Sequence, residues 1–182
     1  MKKKASVNGL YDENLLKEVS SGTIRASVIV SASVLDRLLE ELLKGYFVQD
    51  EAIKVFDNQQ PLGNFSAKIS MAYCLGLISK EAYIDLNSYR KIRNYLAHEL
   101  VINEEIERWI KDICISFNFS NKCFKGLKDN SVQVQVIMEF VALYVLLIKK
   151  INRISSCEFC QYEYDNLGFD ESDYEFMKKL MI

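Results

Sequence analysis

The stretch Leu86-Asn-Ser-Tyr-Arg-Lys-Ile-Arg-Asn-Tyr-Leu-Ala-His98 decides how the chain is read. On a helical wheel at about 100° per residue, Leu86, Tyr89, Ile92 and Leu96 form one apolar arc that a core would cover. Asn87, Arg90, Arg93, Asn94, Ala97 and His98 fill a polar arc about half a circle wide. Arg90, Asn94 and His98 are successive i, i+4 neighbours, and Arg93 flanks them across the small Ala97. The sole histidine of the protein therefore shares a face with two arginines and two asparagines.

Working outward, the same helical period continues. Ser79 is a good N-cap for this helix, with Glu81 in its first turn. Upstream, a helix from about Phe65 to Cys74 stops at Gly76, a C′ position, after the loop Asp57-Asn-Gln-Gln-Pro-Leu-Gly63. A helical turn is expected around Glu51 to Phe56. Before it, a long helix runs from about Asn14 to Val48, with a break expected near Ser20-Ser21-Gly22. From Ile24 its apolar stripe is Val28, Leu35, Leu38, Leu39, Leu42 and Tyr46, with Asp36 and Glu40 off the stripe. Downstream, Asn103 caps a helix to Ile113, and Asn118 to Asn130 reads as irregular surface structure. Asn130 or Ser131 opens a long apolar helix to about Ile154, and a tail from Cys157 has room for an amphipathic helix from Glu171 to Leu180. Phe140, Tyr144 and Trp109 read as core aromatics. The expected architecture is all-α: a single domain, residues 1–182, built as a helical bundle with a C-terminal apolar helix packed on it. Residues 1–10 are expected to be mobile and 157–182 to form a peripheral tail.

Composition agrees with that architecture. Of 182 residues, 49% are hydrophobic and 26% charged, with one proline and seven glycines, which suits a helical domain with its own core. The formal net charge of −2 provides no global basic field for gripping nucleic acid, and no helix-turn-helix pair with a basic recognition helix is visible. Direct sequence-specific DNA binding is therefore not expected. Five cysteines, an odd number, read as reduced thiols of a cytoplasmic protein. Lys2 to Lys4 are not followed by an apolar run of signal-peptide type. Val134 to Ile148 reads as too short to span a bilayer and contains Glu139, so a buried core helix is expected rather than a membrane segment. Cys157-Glu-Phe-Cys160 has zinc-ligand spacing without a second ligand pair, so neither a metal nor a cofactor is expected.

Two chemistries fit the polar arc. In the first, it is a solvated face near a helix C-terminus, where a histidine and cations suit the helix dipole, and Asp36 or Glu40 supplies ion-pair partners for the arginines. In the second, it is a metal-independent ribonuclease site, in which the 2′-hydroxyl of RNA attacks its own phosphodiester. His98 would move the proton, because an unperturbed imidazole titrates near neutral pH. Arg93 would hold the phosphate oxygens through its planar fork, with Asn94 orienting either group. One histidine is too few for an acid–base pair, and a homodimer would supply the second.

Arg93-Asn-Tyr-Leu-Ala-His98 resembles the Arg-to-His signature of HEPN domains, helical folds that include dimeric ribonucleases of defence and toxin–antitoxin systems. The wider chain resembles a narrower family, the mannitol operon repressor (MtlR-like) proteins. The resemblance lies in Ile24-Arg-Ala-Ser-Val-Ile-Val with Asp36-Arg-Leu-Leu-Glu40, in Pro61-Leu-Gly-Asn-Phe-Ser-Ala-Lys-Ile69, in Ala72-Tyr-Cys-Leu-Gly-Leu-Ile78 and in the Tyr83-to-His98 helix. It covers roughly residues 20 to 115. It implies a HEPN/MtlR-like helical bundle; the candidate binding residues are Asn87 and Arg90 of the polar arc, with Asp36 and Glu40. It also implies a regulatory role exerted through a protein partner, as a homo-oligomer. A HEPN-type RNase or RNA-binding role using His98, Arg93 and Asn94 ranks second, and a structural subunit of a larger complex third.

Overall fold

Thr23 is where the first helical run breaks. Its backbone is extended, and its side chain accepts a hydrogen bond from the Ala26 amide at 3.3 Å, so a new helix starts after it. The computed structural model describes residues 13–47, 54–124 and 131–155. Their helices are α1 (Glu13–Ser21), α2 (Ile24–Lys44), α3 (Phe65–Cys74), α4 (Lys80–His98), α5 (Glu104–Ile115), α6 (Asn118–Cys123) and α7 (Val132–Ser155), and no strand occurs among the described residues. The expected N-terminal segment, the 157–182 tail with its helix, and the Cys157/Cys160 pair lie outside the described residues. The α1–α2 corner is tied down from both sides. Ser27 Oγ donates to Val19 O at 2.5 Å, and Gln133 Nε2 of α7 donates to Gly22 O at 2.7 Å.

The middle of the fold is α2, which packs against α1, α3, α4 and α7. Leu35, Leu38, Leu39 and Leu43 are fully buried along it. Truncating one such leucine to alanine costs about 2–5 kcal/mol, because lost transfer energy and a residual cavity add. Tyr46 departs from the predicted stripe and is exposed, since α2 ends at Lys44 and is capped by Gly45.

Local chemistry sets the next elements. Asn64 caps α3 by accepting from the Ala67 amide at 2.8 Å. The loop before it requires Gly63, since a Cβ there would lie 2.2 Å from Asp57 O. At the other end Gly76 takes φ 68°, and its N–H donates to Tyr73 O at 2.9 Å while Leu77 N–H donates to Ala72 O at 2.9 Å. These two bonds form a Schellman stop that satisfies the last carbonyls of α3. Ser79 then caps α4, accepting from the Ala82 amide at 3.3 Å, and Leu86, Tyr89, Ile92 and Leu96 are fully buried as the wheel requires. The buried Tyr89 hydroxyl shares a 2.5 Å hydrogen bond with Ser31 Oγ of α2.

Two expectations are corrected beyond α5. The stretch from Asn118, expected as irregular surface, forms α6 up to Cys123, with Phe117 and Ser120 buried beneath it; residues 125–130 lie outside the described residues. Its N-cap, Phe117, offers no side-chain cap. Asp85 of α4 does the capping instead, accepting from the Asn118 amide at 2.9 Å and the Phe119 amide at 2.9 Å. A local reading misses such a helix because its stabilising partner lies 33 residues upstream. The second correction concerns α7, whose span Val132–Arg153 is long and apolar enough to cross a membrane by length and composition. In this fold Val136, Glu139, Phe140, Leu143 and Leu147 of α7 are buried, and the helix packs on α2, α5 and α6.

Candidate functional site

The helical period of α4 brings the predicted polar arc together. Arg93, Ala97 and His98 are exposed, and Asn87, Arg90 and Asn94 are half-buried. Four of its side chains bond locally. Arg93 Nη1 donates to Asn94 Oδ1 at 3.0 Å, Arg90 Nε to Asn87 Oδ1 at 3.4 Å, and Asn87 Nδ2 to Tyr83 O at 3.0 Å. His98, in the last turn, makes no hydrogen bond or ion pair among the described residues.

Asp36 and Glu40 do not pair with those arginines. Their partner is Lys68 of α3, which is only 3% exposed; its Nζ stands 3.1 Å from Asp36 Oδ1 and 3.0 Å from Glu40 Oε2. Lys44 approaches Glu40 Oε1 at 2.5 Å and Glu41 Oε1 at 3.5 Å, so the α2–α3 joint is an alternating row of charges. Burial pushes the Asp36 carboxyl above its usual range, against the fields of Lys68 and Arg93. For Glu40, burial pushes upward too, but hydrogen bonds from Lys44 and Lys68 outweigh it and hold the carboxyl low. Arg93 thus reaches Asp36 through its field and not as an ion pair. Sequence reasoning passed over Lys68, although a signal exists: Phe65, Lys68 and Ala72 lie at i, i+3 and i+7, which places a cation on the buried face of α3.

A second polar knot joins α4, α6 and α7. Asp85 and Glu139 are both fully buried. Asp85 takes the α6 amides and Asn118 Nδ2 at 2.8 Å, while Glu139 Oε2 accepts from the Ser120 amide at 2.9 Å. Burial, and then the neighbouring Asp85 charge, push the Glu139 carboxyl up to about 8. Glu139 Oε1 has no hydrogen-bond partner among the described residues, so burial beside Asp85 favours the protonated form of this carboxyl. The adjacent Cys114 thiol is pushed up to about 12, by burial first and then by Glu139, which makes it an unreactive thiol. Among the described residues no group of three His, Cys, Asp or Glu stands together to hold a metal ion.

The third feature lies beside the last turn of α4. Trp109 of α5 is only half-buried, in contrast with Phe140 and Tyr144, and its ring meets Tyr95 at 4.7 Å between centroids. These rings line a cleft of about 290 Å³ together with Glu99, Val101, Glu105 and Ile106. Tyr95 belongs to neither arc of the wheel as first drawn, which is why the cleft was not anticipated.

The fold and these faces define an all-helical bundle whose conspicuous features are charged and aromatic surfaces on a leucine-rich core. The chain belongs to the mannitol repressor family, MtlR, whose profile matches residues 12–143. It is 26% identical over 96 residues to the mannitol operon repressors of Escherichia coli strain K12 and of Escherichia coli O6:H1, covering 49% of this chain and 49% of each relative. The chain thus spans about half the length of the curated relatives it matches. In three dimensions it is similar to the chain in the X-ray structure of the MtlR-HPr complex from Escherichia coli, with a TM-score of 0.50 and 20% identity, over 78% of this chain and 96% of that one. That likeness establishes the shared helical fold.

Proposed function

We propose that this chain is a regulatory protein of the mannitol repressor type, and that it acts by binding a protein partner rather than by gripping DNA itself. The observation that carries the reading is the family match over residues 12–143. The net charge of −2 supports an indirect mode, because a DNA-gripping domain of this size gathers cations to replace counterions at the phosphates. The solved relative was crystallised with HPr, which makes the HPr of the same host the first partner to test. Titration calorimetry of the full chain with that HPr should give saturable binding at low salt. Tight retention of an operator DNA fragment by the isolated protein, with no response to HPr, would overturn the reading.

One observation favours a second reading. Arg93 and His98 are both exposed on one arc, and His98 has no partner among the described residues, so RNA could reach both. In that reading Arg93 holds the phosphate, Asn94 orients it, His98 moves the proton, and a second protomer supplies the other histidine. Incubation with mixed RNA in EDTA tests it. Fragments with 2′,3′-cyclic phosphate ends, absent with His98→Ala and with Arg93→Ala, would support it, and intact RNA at high protein concentration would count against it.

A further inference from the structure

We infer that the cleft between the last turn of α4 and the start of α5 receives an arginine side chain of a partner protein, flanked on that partner by apolar residues. The inference rests on the proposed protein-contact function and names the chemistry of the partner's surface.

Three observations converge on it. The first is apolar exposure on a fixed backbone. Leu100 is 91% exposed and Val101 73% exposed, yet the segment that carries them is pinned. The Glu99 amide donates to Tyr95 O at 3.1 Å, Arg25 Nη2 donates to Leu100 O at 3.2 Å, and Asn103 Oδ1 caps α5 through the Ile106 amide at 3.0 Å. Two aliphatic side chains held in water by an anchored turn are a contact surface awaiting cover. The second observation is the cleft itself, at about 290 Å³ near the lower limit of small-molecule pockets of roughly 300–1,000 Å³. That size fits one long side chain, and its wall is the Tyr95–Trp109 pair, with rings 4.7 Å apart and tilted by 38°.

The third observation is charge. Residues 99–112 carry Glu99, Glu104, Glu105, Glu107 and Asp112 against Arg108 and Lys111. Only Glu104 of these carboxylates has an ion-pair partner among the described residues, Arg108 at 3.8 Å. Glu99 and Glu105, which line the cleft, have no ion-pair partner among the described residues, although Glu105 in the first turn of α5 meets the helix dipole. Aromatic faces beside free carboxylates select a planar cation. Guanidinium stacks on the rings and forks to a carboxylate, whereas the compact, strongly hydrated ammonium of lysine does this less well. An anionic or purely apolar occupant would leave the two glutamates repelled or buried without a partner. Arginine and tryptophan anchors ringed by apolar contacts are also what concentrates binding energy at protein interfaces.

Trp109 is the only tryptophan in the chain, so its emission reports on the cleft directly. The full chain is titrated with the peptides acetyl-Leu-Arg-Leu-amide, acetyl-Leu-Lys-Leu-amide and acetyl-Leu-Glu-Leu-amide, and separately with HPr of the host. The arginine peptide should change Trp109 emission saturably, the lysine peptide more weakly and the glutamate peptide not at all. The double variant Glu99→Gln, Glu105→Gln should keep its helical circular dichroism and lose at least tenfold in affinity for the arginine peptide. Equal responses to the arginine and glutamate peptides, or unchanged affinity in the variant, would overturn the assignment. HPr binding that leaves Trp109 emission and variant affinity unchanged would overturn the cleft while sparing the protein-contact reading. A response to the arginine peptide without HPr binding would support the cleft and count against HPr as the partner. Self-association of the wild type that the double variant abolishes would replace the partner with a second copy of this chain.

Discussion

Two groups of carboxylates stand at helix joints of this bundle, one partly exposed and one fully buried, and they are stabilised by different means. At the α2–α3 joint, Asp36 and Glu40 face Lys68, a fixed cation with its own side chain almost wholly covered. At the α4–α6–α7 knot, Asp85 and Glu139 form no ion pair with a lysine or arginine among the described residues. Backbone amides of α6 serve there, and burial beside Asp85 raises the Glu139 carboxyl, which favours its protonated form. The difference shows that burial and the charge of the partner together set how a carboxyl responds to pH. Glu40 is held low by its lysines, whereas Glu139 is pushed up to about 8 by desolvation and by Asp85. A charge-paired joint and an amide-bonded joint thus sit within one small fold.

The comparison can be broken most severely at Lys68. Lys68→Met leaves two carboxylates facing each other at a covered joint and should cost about 3–5 kcal/mol, read as a lower midpoint in urea denaturation. Next is Asp85→Ala, which strips the cap from α6 and leaves the Asn118 and Phe119 amides unsatisfied; about 2–3 kcal/mol is expected, with hydrogen exchange accelerated first in α6. Smaller again at neutral pH is Glu139→Gln, within about 1 kcal/mol, since the amide mimics the protonated carboxyl.

That last variant sharpens the comparison through pH. A carboxyl raised on folding contributes stability that is fully present below its unfolded value of 4.5 and is lost as pH rises through about 8. Wild-type stability should therefore decline between pH 5 and about 8 through Glu139, and Glu139→Gln should flatten that slope in thermal melts. Glu40 has the opposite sign. Its contribution is present above 4.5 and is lost as pH falls through its depressed value, so Glu40→Gln should blunt acid destabilisation below pH 4.5. The smallest effect is expected for Asp36→Asn, under about 1 kcal/mol at neutral pH, because Asp36 is half-exposed and Glu40 retains Lys68. A loss near that of Lys68→Met would show that Asp36, and not Glu40, is the main partner of the buried cation.

Much of this was legible in the chain. The break expected near Ser20-Ser21-Gly22, which falls between Ser21 and Ile24, the Gly76 stop, the Ser79 and Asn103 caps and the buried arc of Leu86, Tyr89, Ile92 and Leu96 follow from local rules, because each depends on neighbours within a turn or two. The polar arc from Asn87 to His98 was legible for the same reason. The cleft was not, since Tyr95 and Trp109 meet across a loop and neither ring is marked by its own helix as a surface residue. α6 was missed because its cap comes from another helix.

By itself the sequence determined where the charged residues of the core would sit. Lys68, Asp85 and Glu139 occupy stripe positions, beside Phe65 and Ala72, Ala82 and Tyr89, and Val136 and Leu143, where a helix turns inward. Only the tertiary structure decided which charge meets which. Lys68 reaches Asp36 and Glu40 across 32 and 28 residues, and Asp85 reaches the α6 amides across 33. Helical periodicity fixes the direction of a side chain, but its partner depends on which helices pack together. That choice is made by the whole core at once.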